Sequence, residues 1–197
     1  GGLVNDGFSN FVNSTVSGNT ATDNKGAGIY NGASRVLHLL NTTITVNYAA
    51  AFAGAGIWNE NFGYPTPTVR ARNTIIAGNQ ADAGNPMDHV GDLTNLGNNI
   101  VNSPNPGLAP LGNYGGPTPT HALLQTSPAV DAGDNCVLTA NTCGVGHAAY
   151  LNDQRNGNTP RLIGANVDIG AFERNISFTP ATLPSSIQNY TYNQQVT

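Results

Sequence analysis

Gly28-Ile29-Tyr30-Asn31 and Gly56-Ile57-Trp58-Asn59 are one phrase written twice, and Gly2-Leu3-Val4-Asn5 is an earlier, looser copy. A second phrase follows each copy: Asn13-Ser14-Thr15-Val16-Ser17-Gly18-Asn19, then Asn41-Thr42-Thr43-Ile44-Thr45-Val46-Asn47, then Asn73-Thr74-Ile75-Ile76-Ala77-Gly78-Asn79. A degenerate fourth copy is Asn98-Asn99-Ile100-Val101-Asn102. The first phrase recurs at intervals of 26 and 28 residues, the second at 28 and 32. Periods of this size mark stacked repeats. Each period holds short β-prone runs separated by Gly/Asn turns. One such unit cannot bury its apolar face alone, but each strand can pair with its counterpart one turn later. The repeat therefore predicts an all-β chain: a right-handed parallel β-helix (solenoid) over residues 1–103, with successive turns about 4.8 Å apart.

Composition narrows the class. The chain has 197 residues, 24 glycines and 28 asparagines, and only 9% charged residues with a net charge of −4. Gly, Asn and Thr are poor helix formers, so a helical protein is excluded. No basic cluster exists to neutralise phosphates, so no nucleic-acid partner is expected. No apolar run reaches the roughly 18 residues of a membrane span.

The asparagines have two uses. Asn tolerates the left-handed conformation at turns, and amides stacked at one position can hydrogen-bond along the column. Three ladders are expected: Asn13, Asn41 and Asn73; Asn19, Asn47 and Asn79; and Asn31 with Asn59. Tyr30 and Trp58 share a repeat position. If Ile29 and Ile57 point inward, the two aromatics point outward by strand alternation, as packing under a neighbour or as a contact for sugar rings.

Beyond residue 103 the repeat stops and proline becomes dense. Residues 104–174 read as an irregular C-terminal cap. Cys136 and Cys143 lie close together in it, and in a secreted protein such a pair forms a local disulfide. Asp131, Asp134, Asp153, Asp168 and Glu173 accompany Arg155, Arg161 and Arg174, a set suited to buried arginine–carboxylate pairs. Asp131 and Asp134 with nearby carbonyls also make a candidate calcium site; no other cofactor is expected.

Three runs of this half carry a family resemblance: Gly115-Gly116-Pro117-Thr118-Pro119-Thr120-His121-Ala122-Leu123-Leu124, Ser127-Pro128-Ala129-Val130-Asp131-Ala132-Gly133, and Asp168-Ile169-Gly170-Ala171-Phe172-Glu173. In this order, and with the repeats before them, residues 1–174 resemble the choice-of-anchor Q domain family of bacterial surface or secreted proteins. Asn156 after Asp153-Gln154-Arg155, and Val167 before the last run, depart from the family pattern. The resemblance implies a β-helix and an extracellular, cell-surface location, and says little about chemistry. Residues 175–197 resemble the opening strands of an immunoglobulin-like module, or a strand exchanged with a neighbour.

Parallel β-helices often cleave acidic polysaccharides, and such hydrolysis needs two or three carboxylates facing one groove. Asp6, Asp23, Glu60, Asp82, Asp88 and Asp92 do not recur at one repeat position, and Asp88-His89 is the best local acid–histidine pair. The expectation is a non-enzymatic structural or adhesive module of a bacterial surface protein. Its partners are neighbouring copies or adjacent domains of the same protein, with head-to-tail assembly into a fibre as one form. A carbohydrate-binding β-helix using Tyr30 and Trp58 is the alternative, and a polysaccharide lyase or hydrolase the third reading.

Overall fold

The structure, a computed structural model, describes residues 1–22, 25–50, 54–60, 66–157 and 159–175. Asp23 and the expected immunoglobulin-like opening at 176–197 lie outside the described residues. The repeat folds as a parallel β-solenoid of about three turns. Its first turn holds β1 (Leu3–Asn5), β2 (Phe8–Ser17) and β3 (Thr20–Ala21); its second holds β4 (Ile29–Asn31), β5 (Val36–Thr45) and β6 (Tyr48–Ala49). The third holds β7 (Ile57–Asn59), β8 (Thr68–Arg72), β9 (Ile75–Ile76) and β10 (Gln80–Ala81). A partial fourth turn adds β11 (His89–Val90), β12 (Thr94–Asn95) and β13 (Ile100–Val101).

Three parallel sheets result. One runs β1-β4-β7-β11 and a second runs β3-β6-β10. In the third, β2 pairs with β5, which pairs with both β8 and β9, and these with β12 and β13. The register is the one the repeats specify: Ile29 faces Ile57, Tyr30 faces Trp58 and Asn31 faces Asn59. Inside the column Ile29, Leu37, Leu39, Ile44, Ile57, Val69, Ala71 and Ile76 form the core.

Two positions of each turn take the left-handed backbone. Asn13, Asn41, Asn73 and Asn98 have φ of 47–52°, so the degenerate fourth copy keeps the corner of the others. The second position holds Gly18, Val46, Gly78 and Asn102, with φ of 71°, 57°, 74° and 57°. Gly28 and Gly56 have a different reason: a Cβ on either would strike the carbonyl one turn below and crowd Asn47 or Asn79.

Residues 104–175 contain isolated bridges and one short 3-10 turn, Asn135–Leu138. The segment lies along the flank of the column and touches every turn, so it works as a strut beside the rungs. Ile75, Ala77 and Ile100 meet Leu123, Ala129, Ile169 and Phe172 there. Leu40 and Val12 meet Val137, Cys143 and Val167. This second cover is why nine of the ten residues of β5 are buried, polar His38, Asn41, Thr42, Thr43 and Thr45 among them. Cys136 and Cys143 form a disulfide, with Cys143 buried against Leu40 and Val12.

Val46 is the strained member of its row. A β-branched residue at positive φ is an outlier, and its side chain is 58% exposed, so packing offsets little of the cost. Val46→Asn, the residue found at the equivalent position 102, is expected to stabilise the fold by about 1 kcal/mol. Thermal denaturation should show this as a Tm higher by about 2–4 °C.

Candidate functional site

Two of the expected asparagine rows are ladders. Asn31 Nδ2 donates to Asn59 Oδ1 at 2.7 Å, and Asn5 extends the row upward, donating to Asn31 Oδ1 at 2.7 Å. The Gly2-Leu3-Val4-Asn5 phrase already aligned Asn5 with Asn31, so the repeat held the signal for this member. At the other corner, Asn19 Nδ2 donates to Asn47 Oδ1 at 2.9 Å and Asn47 Nδ2 to Asn79 Oδ1 at 2.8 Å. Each acceptor oxygen also takes the donor's backbone N–H, at 3.1 Å in both cases.

This second ladder ends on an acid. Asp88 Oδ1 accepts both the backbone N–H and Nδ2 of Asn79, each at 2.8 Å. Asp88 precedes His89, which pairs with Ile57, so it occupies the repeat position of Gly28 and Gly56. Burial raises its pKa and the Asn79 donors work against that rise. The best acid–histidine pair of the sequence is therefore a ladder terminus, with its carboxylate turned into the column.

The third row, Asn13, Asn41 and Asn73, departs from expectation. These amides reach outward and hold the flank. Asn13 Nδ2 donates to the Asn152 carbonyl at 2.8 Å. Asn73 exchanges two bonds with the Asp134 backbone, Nδ2 to carbonyl and N–H to Oδ1, both 2.8 Å. Asn98 Nδ2 donates to the Ala132 carbonyl at 2.9 Å. Turned with its oxygen toward Arg161, Asn41 accepts from Nε at 3.0 Å. This orientation gives a buried guanidinium an acceptor; the opposite one offers only long contacts, 3.3 Å with Asn73 and 3.4 Å to the Asp168 carbonyl. The physical reason is the flank, which lies against this corner and offers these amides partners at 2.8–3.0 Å, closer than the 3.3 Å between Asn41 and Asn73.

The flank's charged residues are used internally. Arg161 is fully buried and donates to the carbonyls of Asp168 and Gly170 at 2.6 and 2.7 Å. Its Nε lies 3.9 Å from Glu173 Oε2. Burial pushes the Glu173 carboxyl up to about 8, and Arg161 offsets only part of that rise. Asp153 takes Arg155 through Nε and Nη2, at 2.9 and 2.7 Å, and the Glu173 N–H at 2.8 Å. The Arg155 guanidinium also lies over the Phe172 ring at 3.8 Å. His121, its pKa lowered by burial, donates from Nδ1 to the Ala109 carbonyl and accepts from Ser17 at Nε2, both 2.8 Å. Thr15 reaches Thr120 and Gln154, so the first turn is tied to the flank as well.

Asp131 and Asp134, the candidate calcium ligands, serve different neighbours. Asp134 Oδ2 accepts from Arg72 at 2.6 Å, and its Oδ1 caps the short 3-10 turn through the Cys136 N–H at 2.8 Å. The Asp131 N–H donates to Asp168 Oδ1 at 2.6 Å. Among the described residues no group of three or more His, Cys, Asp or Glu side chains is arranged to hold a metal ion.

Tyr30 and Trp58 stand in register on the outer face of the β4–β7 pair, where charged residues engage them. Tyr30 donates from its hydroxyl to Glu60 at 2.6 Å, which raises the tyrosine pKa. Lys25 lies 3.9 Å from Glu60 and over the Trp58 ring at 4.5 Å. Trp58 packs on the alanine cluster Ala21, Ala27, Ala49 and Ala55. The stripe is a small interlocked cluster, both aromatics half-buried.

With this geometry in view, the chain was compared with protein-family models, with curated proteins and with solved structures, and none matches.

Asn47→Ala removes the middle of the longer ladder, stranding the Asn19 donors, taking one of two donors from Asn79 Oδ1 and removing the bonds of Asn47 Nδ2 to the Val16 and Thr45 carbonyls. A loss of about 2–4 kcal/mol in denaturant unfolding is expected, against less than about 0.5 kcal/mol for exposed Asn85→Ala. Glu173 sets a pH dependence. Its carboxyl is higher folded, at about 8, than unfolded, at 4.5, so the native state binds more protons between those values. Its contribution to stability is complete below about pH 4.5 and is lost as pH rises through about 8, with a slope of at most about 1.4 kcal/mol per pH unit. Denaturation midpoints measured from pH 5 to 8 should fall in the native protein, and Glu173→Gln should flatten the fall.

Proposed function

We propose that this chain is a non-catalytic structural module of a secreted or surface-displayed bacterial protein, serving as a stiff segment that holds other parts at a distance. One observation carries the reading: the corner residue of every turn, Asn13, Asn41, Asn73 and Asn98, is bonded to a single flank segment. A solenoid alone is held only by contacts between neighbouring turns. Here a strut spans all of them, and shearing one turn off the next must also break its bond to the strut. The internal engagement of Arg72, Arg155, Arg161, Asp134, Asp153 and Glu173 supports the same reading, because these charges serve packing. The disulfide favours an oxidising compartment, which agrees with the extracellular location implied by the family resemblance.

Sugar binding through Tyr30 and Trp58 is the second reading, supported by their outward register. Single-molecule pulling between residues 1 and 175 tests the first. It should show one cooperative unfolding event, and Asn73→Ala should lower the force by loosening the strut. Turn-by-turn unfolding at low force, unchanged by Asn73→Ala, would overturn the reading. Glycan-array binding lost in Tyr30→Ala and Trp58→Ala variants would establish the second.

A further inference from the structure

The ladder of Asn19, Asn47 and Asn79 has a direction. Each member donates its N–H and Nδ2 onward, and Asn47 and Asn79 accept at Oδ1 from the turn before. At one end the sequence of donors closes on Asp88, whose Oδ1 takes two bonds. At the other end Asn19 Oδ1, half-buried at the first turn, receives no hydrogen bond among the described residues. The second ladder differs, because Asn5 Oδ1 is satisfied within its own turn by the Gly7 N–H and the Ser9 hydroxyl, at 3.2 and 2.8 Å.

The rest of the first turn is similarly open. Among the described residues the ten-residue strand β2 is paired on one side only, with β5. Leu3, Phe11 and Val16 continue the interior stack but are only partly buried, whereas Leu39 and Ile44, their neighbours one turn down, are fully covered. An unpaired edge with a partly exposed apolar stack is a template for another strand.

We infer that this face takes one further rung of the same repeat, entering parallel to β2 and presenting an asparagine in register with Asn19. Such a rung supplies what the face lacks: two N–H donors for Asn19 Oδ1, a ladder partner for β2 and apolar side chains over Phe11 and Val16. The chain's own opposite face does not supply the asparagine donors. At that corner the ladder is closed by the buried Asp88 carboxylate, an acceptor, and the other ladder finishes on the Asp92 carbonyl through Asn59. Stacking a second copy head to tail would bring no asparagine donor to Asn19 Oδ1. This hydrogen-bond polarity holds whether or not the chain is a structural module, and it rules against the simple head-to-tail fibre.

The test adds the rung. A copy of residues 1–26 is fused ahead of Gly1, so that Gly1 follows Gly26 as Ala27 does in the native chain. The fused chain should melt about 4 °C or more above the unmodified one, and Asn19→Asp in the added copy should remove at least half of that gain. Equal gains with Asn and Asp, or a folded fusion with no gain, would overturn the inference. If the fusion does not fold, a synthetic peptide of residues 8–19 is titrated into the unmodified chain and followed by amide NMR. Shifts confined to β2 and the Asn19 side chain support the assignment; shifts elsewhere, or none, overturn it. Sedimentation of the unmodified chain should show a monomer, and stepwise oligomers or fibres would overturn the polarity argument.

Discussion

A single oxygen that accepts two N–H groups, repeated once per turn, sets the frame of this molecule. Asn47 Oδ1 and Asn79 Oδ1 each bind the backbone and the side chain of the asparagine one turn earlier. A buried amide left without these partners costs about 1–3 kcal/mol, so slipping one turn against the next would strand several groups at once. The apolar stack would tolerate such a slip more readily, since Ile, Leu and Val are interchangeable in shape to a degree the amides are not. The hydrophobic interior drives the column together and the amides decide its register. Gly28 and Gly56 follow from the same constraint, because the ladder and the next turn's carbonyl occupy the space a Cβ would need.

The flank adds a second level of organisation. A parallel solenoid has a low-order core, in which each turn knows only its neighbours. The segment from 104 to 175 runs across those turns and bonds to each, which couples residues more than 100 positions apart in the chain, as in the Thr15–Thr120 and Asn13–Asn152 pairs. Its own interior is polar: Arg161, Glu173, Asp168 and Asp153 are all buried. Such groups add little net stability over apolar replacements, but removing one partner leaves a charge without compensation. They act here as a geometric key. Arg161 binds the carbonyls of Asp168 and Gly170, and Gly170 in turn donates its N–H to the Asn73 carbonyl at 2.9 Å, so the guanidinium aligns the segment that meets the corner.

Much of the candidate site was legible in the repeat and part was not. The Asn31–Asn59 and Asn19–Asn47–Asn79 ladders, and the shared outward position of Tyr30 and Trp58, follow from register, and register follows from the period. Asn13, Asn41 and Asn73 were legible as a row but not in their partners. Their corner lies against the flank, so their nearer partners come from a segment that has no repeat to read. Asp88 was hidden for a related reason. It stands where the earlier turns have glycine, and it gains meaning only once Asn79 lies beside it.

The sequence by itself determined the parallel β-solenoid, its strand register and the positions of its turns, because each depends on chemistry repeated at a fixed interval and satisfied by the adjacent copy. The pairing of Cys136 with Cys143 was likewise set by their closeness along the chain. The tertiary structure alone decided that the irregular half runs beside the column, that one asparagine row bonds outward to it, that Asp134 belongs to Arg72, and that the longer ladder ends in an acid. Each of these joins residues with no common period and large separation. Only the packed arrangement, where an unpaired buried donor or acceptor is costly, selects among the partners that composition allows.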